Sequence, residues 1–133
     1  MSRAGYSDDG DALVLWRNAV ESALRGKRGQ QFLQALLTSL DALSVPRLIA
    51  DDLVAGGECC ALGAVALKCG IDIRDLDANG SSAVVKRFGI ARALAAEIAY
   101  VNDELGPDDE TPEQRFRRVR EWTVANLRAL EDT

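Results

Sequence analysis

The side chains that carry most covalent chemistry in proteins are scarce here. The chain has three cysteines, Cys59, Cys60 and Cys69, and no histidine. Without histidine there is no Ser-His-Asp or Cys-His catalysis, no mixed cysteine–histidine zinc site and no histidine pH switch. Three thiolates are also one short of an all-cysteine zinc site. Cys59 and Cys60 fall near an expected helix N-terminus, a position that lowers a thiol pKa. A cysteine nucleophile still needs a base and an orienting group, so these thiols read as buried structural residues. The carboxylate runs Asp51-Asp52 and Asp108-Asp109-Glu110 have no fixed partner at helical spacing and read as solvated loops. No catalytic, cofactor-binding or metal-binding residue is assigned, and the chain is expected not to be an enzyme.

Two further patterns carry binding chemistry. Asp75-Leu76-Asp77-Ala78-Asn79-Gly80 matches the opening of an EF-hand calcium loop, which ends on a bidentate glutamate at its twelfth position. Here that position is Lys86, so the stretch reads as a turn leading into a helix capped by Ser81 or Ser82. Basic residues gather at Arg25, Lys27 and Arg28 in a glycine-flanked turn, and at Arg115, Arg117, Arg118 and Arg120. Either group reads as a phosphate patch at a helix N-terminus or as a solvated face pairing with acids, and neither has a P-loop glycine pattern.

These residues must be positioned by helices. The 133 residues fit one domain, and 47% hydrophobic with 28% charged residues is a globular composition. Residues 11–25 place Leu13, Trp16, Val20 and Ala23/Leu24 on one stripe, and residues 30–43 place Phe32/Leu33, Leu36/Leu37, Leu40 and Leu43 on another. Gly26 and Gly29 break the chain between them, and Pro46 ends the region. Residues 47–54 are either a short helix or an extended piece before Gly56-Gly57. Ala61 to Leu67 is apolar all round, which places this helix at the centre, with Gly70 closing it. Thr111, Pro112 and Gln114 announce the last helix with a capping box, whose inner face is Phe116, Val119, Thr123, Leu127 and Leu130. The predicted fold is all-α: a single compact domain of five to seven helices over residues 11–133, after an N-terminal tail over residues 1–10.

Residues 81–100 are predicted as two short helices hinged at Gly89-Ile90, a helix-turn-helix-like corner. Its second helix would present Ala91, Arg92, Ala93, Ala96, Glu97 and Tyr100, of which only Arg92 reads DNA well. Residues 80–101 carry Lys86, Arg87 and Arg92 against Glu97, whereas residues 102–114 carry six acids and no base. With a net charge of −5, this balance works against phosphate neutralisation.

The stretches Arg25-Gly26-Lys27-Arg28-Gly29-Gln30, Cys60-Ala61-Leu62-Gly63-Ala64-Val65, Phe88-Gly89-Ile90-Ala91, Tyr100-Val101-Asn102-Asp103-Glu104 and Glu110-Thr111-Pro112-Glu113-Gln114-Arg115-Phe116 together resemble a set of short phage and prophage proteins of proteobacteria. The likeness spans nearly the whole chain and implies no known activity. A phage setting implies small proteins of host takeover or of defence inhibition, which is analogy rather than chemistry.

The sequence therefore leads to two expectations. The first is a non-enzymatic phage accessory protein that binds a host protein or nucleoprotein, such as a CRISPR effector complex. Its contact residues would be the acids Glu97, Asp103, Glu104, Asp108, Asp109 and Glu110. The alternative is a helix-turn-helix regulator that contacts DNA through Arg25, Lys27, Arg28, Lys86, Arg87 and Arg92. Neither needs a cofactor, and monomer and homodimer both stay open. The start Met1 to Asp9 has no apolar h-region and the longest apolar run, Cys59 to Leu67, is far short of the ~20 residues of a membrane span. A cytoplasmic protein, in the host cytoplasm if phage-encoded, is expected.

Overall fold

A computed structural model describes residues 10–73 and 81–127. The EF-hand-like turn Asp75–Gly80, Leu130 and nearly all of the expected N-terminal tail lie outside these residues. Among the described residues the chain forms six helices, α1 (Gly10–Arg25), α2 (Lys27–Asp41), α3 (Ala61–Cys69), α4 (Ser81–Phe88), α5 (Arg92–Asp103) and α6 (Pro112–Asn126). A two-residue hairpin, β1 (Val54–Ala55) and β2 (Glu58–Cys59), precedes α3. The all-α expectation holds.

The hairpin resolves the ambiguous stretch after Pro46. Gly56 and Gly57 both take positive φ, 58° and 81°, which is what a two-residue hairpin turn requires and what glycine supplies without steric cost. Before it, residues 47–53 form an irregular strap. Such a segment is tolerated against a core only when its backbone groups find partners. Here Leu48 N–H donates to the Pro112 carbonyl, Ile49 N–H to that of Cys59, and Leu53 accepts from Cys60 N–H.

Gly29 does not break the chain as the sequence suggests. It lies inside α2, and only Gly26 separates the two helices. A Cβ at Gly29 would sit 1.8 Å from the Ala23 carbonyl oxygen, so the glycine lets the end of α1 press against the first turn of α2. The stripe of α2 is the main apolar face: Leu33, Leu36 and Leu40 are at most 1% exposed, each contributing roughly 1.5–3 kcal/mol by burial.

The all-apolar segment of α3 is central from Ala61 to Ala66, but Leu67, expected in the same buried run, faces solvent at 61% exposure. Gly70 caps the helix in the left-handed conformation. Its close packing depends on Gly63, where a Cβ would meet the Leu53 carbonyl oxygen at 2.1 Å. The capping box of α6 is present: the Thr111 hydroxyl accepts from Gln114 N–H at 3.1 Å, and the Gln114 side chain accepts from Thr111 N–H at 2.9 Å. The helices share one cluster, in which α2, the strap, α3, α4, α5 and α6 all contribute buried side chains. The Phe32 and Phe88 rings meet edge to face at 6.2 Å and tie the first half of α2 to the end of α4.

Candidate functional site

Helix α5 orders the charges of this molecule. It starts at Arg92 and ends at Asp103, a length of about 18 Å. Its last turn is held by side chains from α6. Arg115 Nε donates to the Asn102 carbonyl at 3.0 Å and its Nη1 to the Leu48 carbonyl at 3.3 Å. Arg118 Nη1 donates to the Val101 carbonyl at 2.5 Å, while Nε and Nη2 hold the two carboxylate oxygens of Glu110 at 2.6 and 2.9 Å. Cations at a helix C-terminus satisfy its leftover carbonyls and complement its dipole. The Arg118 guanidinium holds the Glu110 carboxyl below the usual carboxylate range, against the opposing effect of burial.

Asn102, at the centre of this end, is fully buried. Its Oδ1 accepts from Ala61 N–H at the start of α3, and its Nδ2 donates to the Ile49 carbonyl at 2.8 Å and to Asp103 Oδ1 at 2.9 Å. Asp103 Oδ1 also accepts from Asp51 N–H. Asp51 sits at φ 69°, a left-handed conformation that costs a non-glycine residue roughly 1–2 kcal/mol. This network joins α3, the strap, α5 and α6 into one rigid end.

Three of the four cations of that end are used internally, and the fourth, Arg117, is exposed. Arg47 pairs with Glu58 and Glu113, and Arg115 and Arg118 pair with Glu110. The carboxylates of Asp51, Asp52, Glu104, Asp108 and Asp109 are exposed, and no cation among the described residues pairs with them. Exposed Leu105 lies among them.

Of the six acids expected to bind a partner, Glu104, Asp108 and Asp109 belong to this rim, and Asp103 stands half-buried behind it, its Oδ1 accepting from Asp51 N–H and Asn102 Nδ2. Glu97 does not: it is 5% exposed, in mid-helix, and takes both oxygens to Arg17 of α1 at 3.3 and 3.4 Å. Glu110 does not either, since its side chain is 4% exposed and occupied by the two arginines. Asp51 and Asp52, read from sequence as a solvated loop, join the rim in their place. Only the tertiary contact with Asp103 brings them there.

The basic residues Arg25, Lys27, Arg28, Lys86, Arg87 and Arg92 are all exposed, and none forms an ion pair with a carboxylate of the acidic rim. The reading face expected for α5 is not on the surface. Residues Leu94 to Ala99 are all buried and Tyr100 packs on the core, because α1 covers the side that a helix-turn-helix would turn to DNA. Of the expected readers only Ala91 and Arg92 are fully exposed. The second basic group also changes meaning: Arg115 and Arg118 are the internal clamps just described, Arg120 pairs with Asp41 on α2, and only Arg117 stays an exposed cation without an ion pair among the described residues.

Cys59 and Cys60 are buried and Cys69 is exposed. Cys60 is the N-cap of α3, its sulfur accepting from Gly63 N–H. The lowering expected of a helix N-terminus is overturned at Cys59: burial, with the neighbouring Cys60 and Glu58, pushes its thiol up to about 11. Among the described residues no group of three acids or cysteines is placed to hold a metal ion, and no helix is long and apolar enough to cross a membrane. No family model matches the chain, and no similar curated protein or solved structure is found.

Proposed function

We propose that this is a non-enzymatic binding protein whose acidic end docks on a basic surface of a host protein or nucleoprotein. The observation that carries this reading is the division of charge at the end of α5. Arg47, Arg115 and Arg118 are turned inward onto carbonyls, Glu58, Glu110 and Glu113. Of the arginines in the first turns of α6 Arg117 alone is exposed, against five exposed carboxylates, Asp51, Asp52, Glu104, Asp108 and Asp109. Like charges held together on a rigid frame repel one another and add nothing to folding. They do speed encounter with a basic surface and set its register. The strained backbone of Asp51 belongs to the same rim, as strained residues often do at functional sites. With the resemblance to phage and prophage proteins, the partner class becomes a host factor, and a nucleic-acid channel of a defence complex such as a CRISPR effector is one such basic surface.

The test is affinity capture from host lysate with nuclease present, comparing the protein with an Asp52→Asn/Glu104→Gln/Asp108→Asn/Asp109→Asn variant. A stoichiometric host protein retained by the first and lost by the second is the expected result. Equal capture by both places the contact elsewhere, and capture of nucleic acid alone removes the protein-partner reading.

A further inference from the structure

We infer that the opposite end of the molecule is a nucleic-acid contact surface that grips the phosphate backbone without reading sequence. Two basic groups distant in the chain are brought together there. Arg28 lies one helical turn, ~5.4 Å of rise, before Phe32, and Lys86 is in the last turn of α4, which ends at Phe88. The two rings touch at 6.2 Å, which sets the start of α2 beside the end of α4. Arg92 follows four residues after Phe88. Lys27, Arg28, Lys86 and Arg92 are exposed, and no acid among the described residues pairs with them. Arg25 is engaged by Glu21, and Arg87 donates to the Asp72 carbonyl, so neither is counted.

The placement of these cations is unfavourable for their own helices. Lys27 and Arg28 occupy the first turn of α2, and Arg92 opens α5, where the positive end of the helix dipole favours acids. Both first turns lack an acid, and both N-caps, Gly26 and Ala91, make no side-chain cap. At the N-terminus of α6, by contrast, there is a capping box and Glu113 in the first turn. At the starts of α2 and α5 the helix end and its side chains add to a positive field, whose complement is an anion such as a backbone phosphate.

Net negative charge does not oppose this. Arg92 is a helix length, about 18 Å, from Asp103 where the acidic run begins, against a screening length of ~10 Å at 0.1 M salt, so phosphates there feel the local cations first. Because α1 covers α5, no recognition helix enters a groove, and the contact is to backbone alone. This inference stands apart from the acidic-end reading, since the two surfaces share no residue.

The experiment is fluorescence anisotropy with two 20-base-pair duplexes of unrelated sequence, from about 50 to 200 mM salt. Four phosphate contacts lower the affinity about a hundredfold over that range. The expected result is equal binding of both duplexes with that fall. Arg92→Ala should reduce the salt slope by about one, and Lys27→Ala/Arg28→Ala/Lys86→Ala/Arg92→Ala should abolish binding without lowering the melting temperature read by circular dichroism. The Asp52→Asn/Glu104→Gln/Asp108→Asn/Asp109→Asn variant should still bind. No binding at about 50 mM salt and micromolar protein overturns the inference, as does strong preference for one sequence. Two further results also overturn it: binding confined to anionic lipid vesicles, or a salt-sensitive self-association lost in either variant, which assigns the basic end to a second copy's acidic rim.

Discussion

Arg118 grips both carboxylate oxygens of Glu110 while the same guanidinium caps the Val101 carbonyl at the end of α5. One side chain therefore closes the α5–α6 loop and terminates α5 together. The loop has no room for another atom at Gly106, where a Cβ would lie 2.5 to 2.6 Å from Glu110 and Arg118 atoms. The frame behind the acidic rim is thus an ion pair shielded by its own loop.

That pair makes stability fall in acid. The folded-state pKa of Glu110 is below its ordinary 4.5, so its contribution is complete above that value and is lost as pH falls through the folded value. Glu110→Gln should lose about 2 kcal/mol at neutral pH, the scale of charge-assisted bonds to a partly exposed arginine. It should also lose less than the parent between pH 5 and pH 3. Urea titrations across that range check both, and parallel acid profiles for the two proteins would refute the assignment.

Asn102 is the second part of the frame, and its two functions are separable. Asn102→Ala strands the buried Ala61 N–H and the Ile49 carbonyl and should cost about 3–4 kcal/mol at 1–3 kcal/mol for each unmet group. Asn102→Asp keeps the acceptor toward Ala61 but loses the donor toward Ile49, and sets a charge beside Asp103. Protonation restores a donor, so this variant should regain stability as pH drops from 7 toward 5, the opposite of the Glu110 trend. Melting temperatures of the two variants at both pH values decide it.

Features set by nearby residues were legible in the sequence. Thr111, Pro112 and Gln114 announced α6, the 3–4 spacing of Phe32 to Leu40 announced α2, and the all-apolar run announced a central α3. The misreadings are tertiary. Gly29 resembles a breaker because sequence does not show that a neighbouring carbonyl takes the place of its side chain. The Gly56-Gly57 hairpin signal was present, but two-residue strands are too short to show alternation. On α5 the alanines at 95, 96 and 99 are neutral in any pattern, and only the packing of α1 turns them and Glu97 inward. For the same reason the acidic rim was half legible: the run from Asp103 to Asp109 is contiguous, whereas Asp51 and Asp52 reach it through one backbone bond.

The contact at Gly29 gives a sharp comparison with its neighbour. Gly29→Ala drives a methyl into the Ala23 carbonyl, a backbone atom, at 1.8 Å. The ~1 kcal/mol that alanine gains over glycine in a helix is outweighed by overpacking of 1–3 kcal/mol or more and by displacement of α1. Net destabilisation should be about 2 kcal/mol, with α1 amides losing hydrogen-exchange protection first. Gly26→Ala meets nothing closer than 3.6 Å and should cost under about 1 kcal/mol, the usual loss at an N-cap. A stabilised Gly29→Ala protein would show that α1 is not seated as described.

The buried thiol of Cys59 gives the molecule an alkaline limit. Its pKa is about 11 in the folded protein against an ordinary 9.0. Between those values the unfolded chain has released the proton and the folded one has not, so the unfolded state binds fewer protons and stability falls as pH rises. The loss reaches about 2 kcal/mol by pH 11, at ~1.36 kcal/mol per unit with the folded thiol itself half ionised there. Cys59→Ala should therefore show a flatter denaturation profile from pH 9 to 11 than the parent, whose lysines and tyrosines titrate in both. The same burial predicts thiol reactivity at pH 8. Cys69, exposed at the end of α3, should react at once with a disulfide reagent, and Cys59 and Cys60 should react only as fast as the fold opens. Rapid modification of two or more thiols in the folded protein would place Cys59 or Cys60 at the surface and refute this account of the α3 N-terminus.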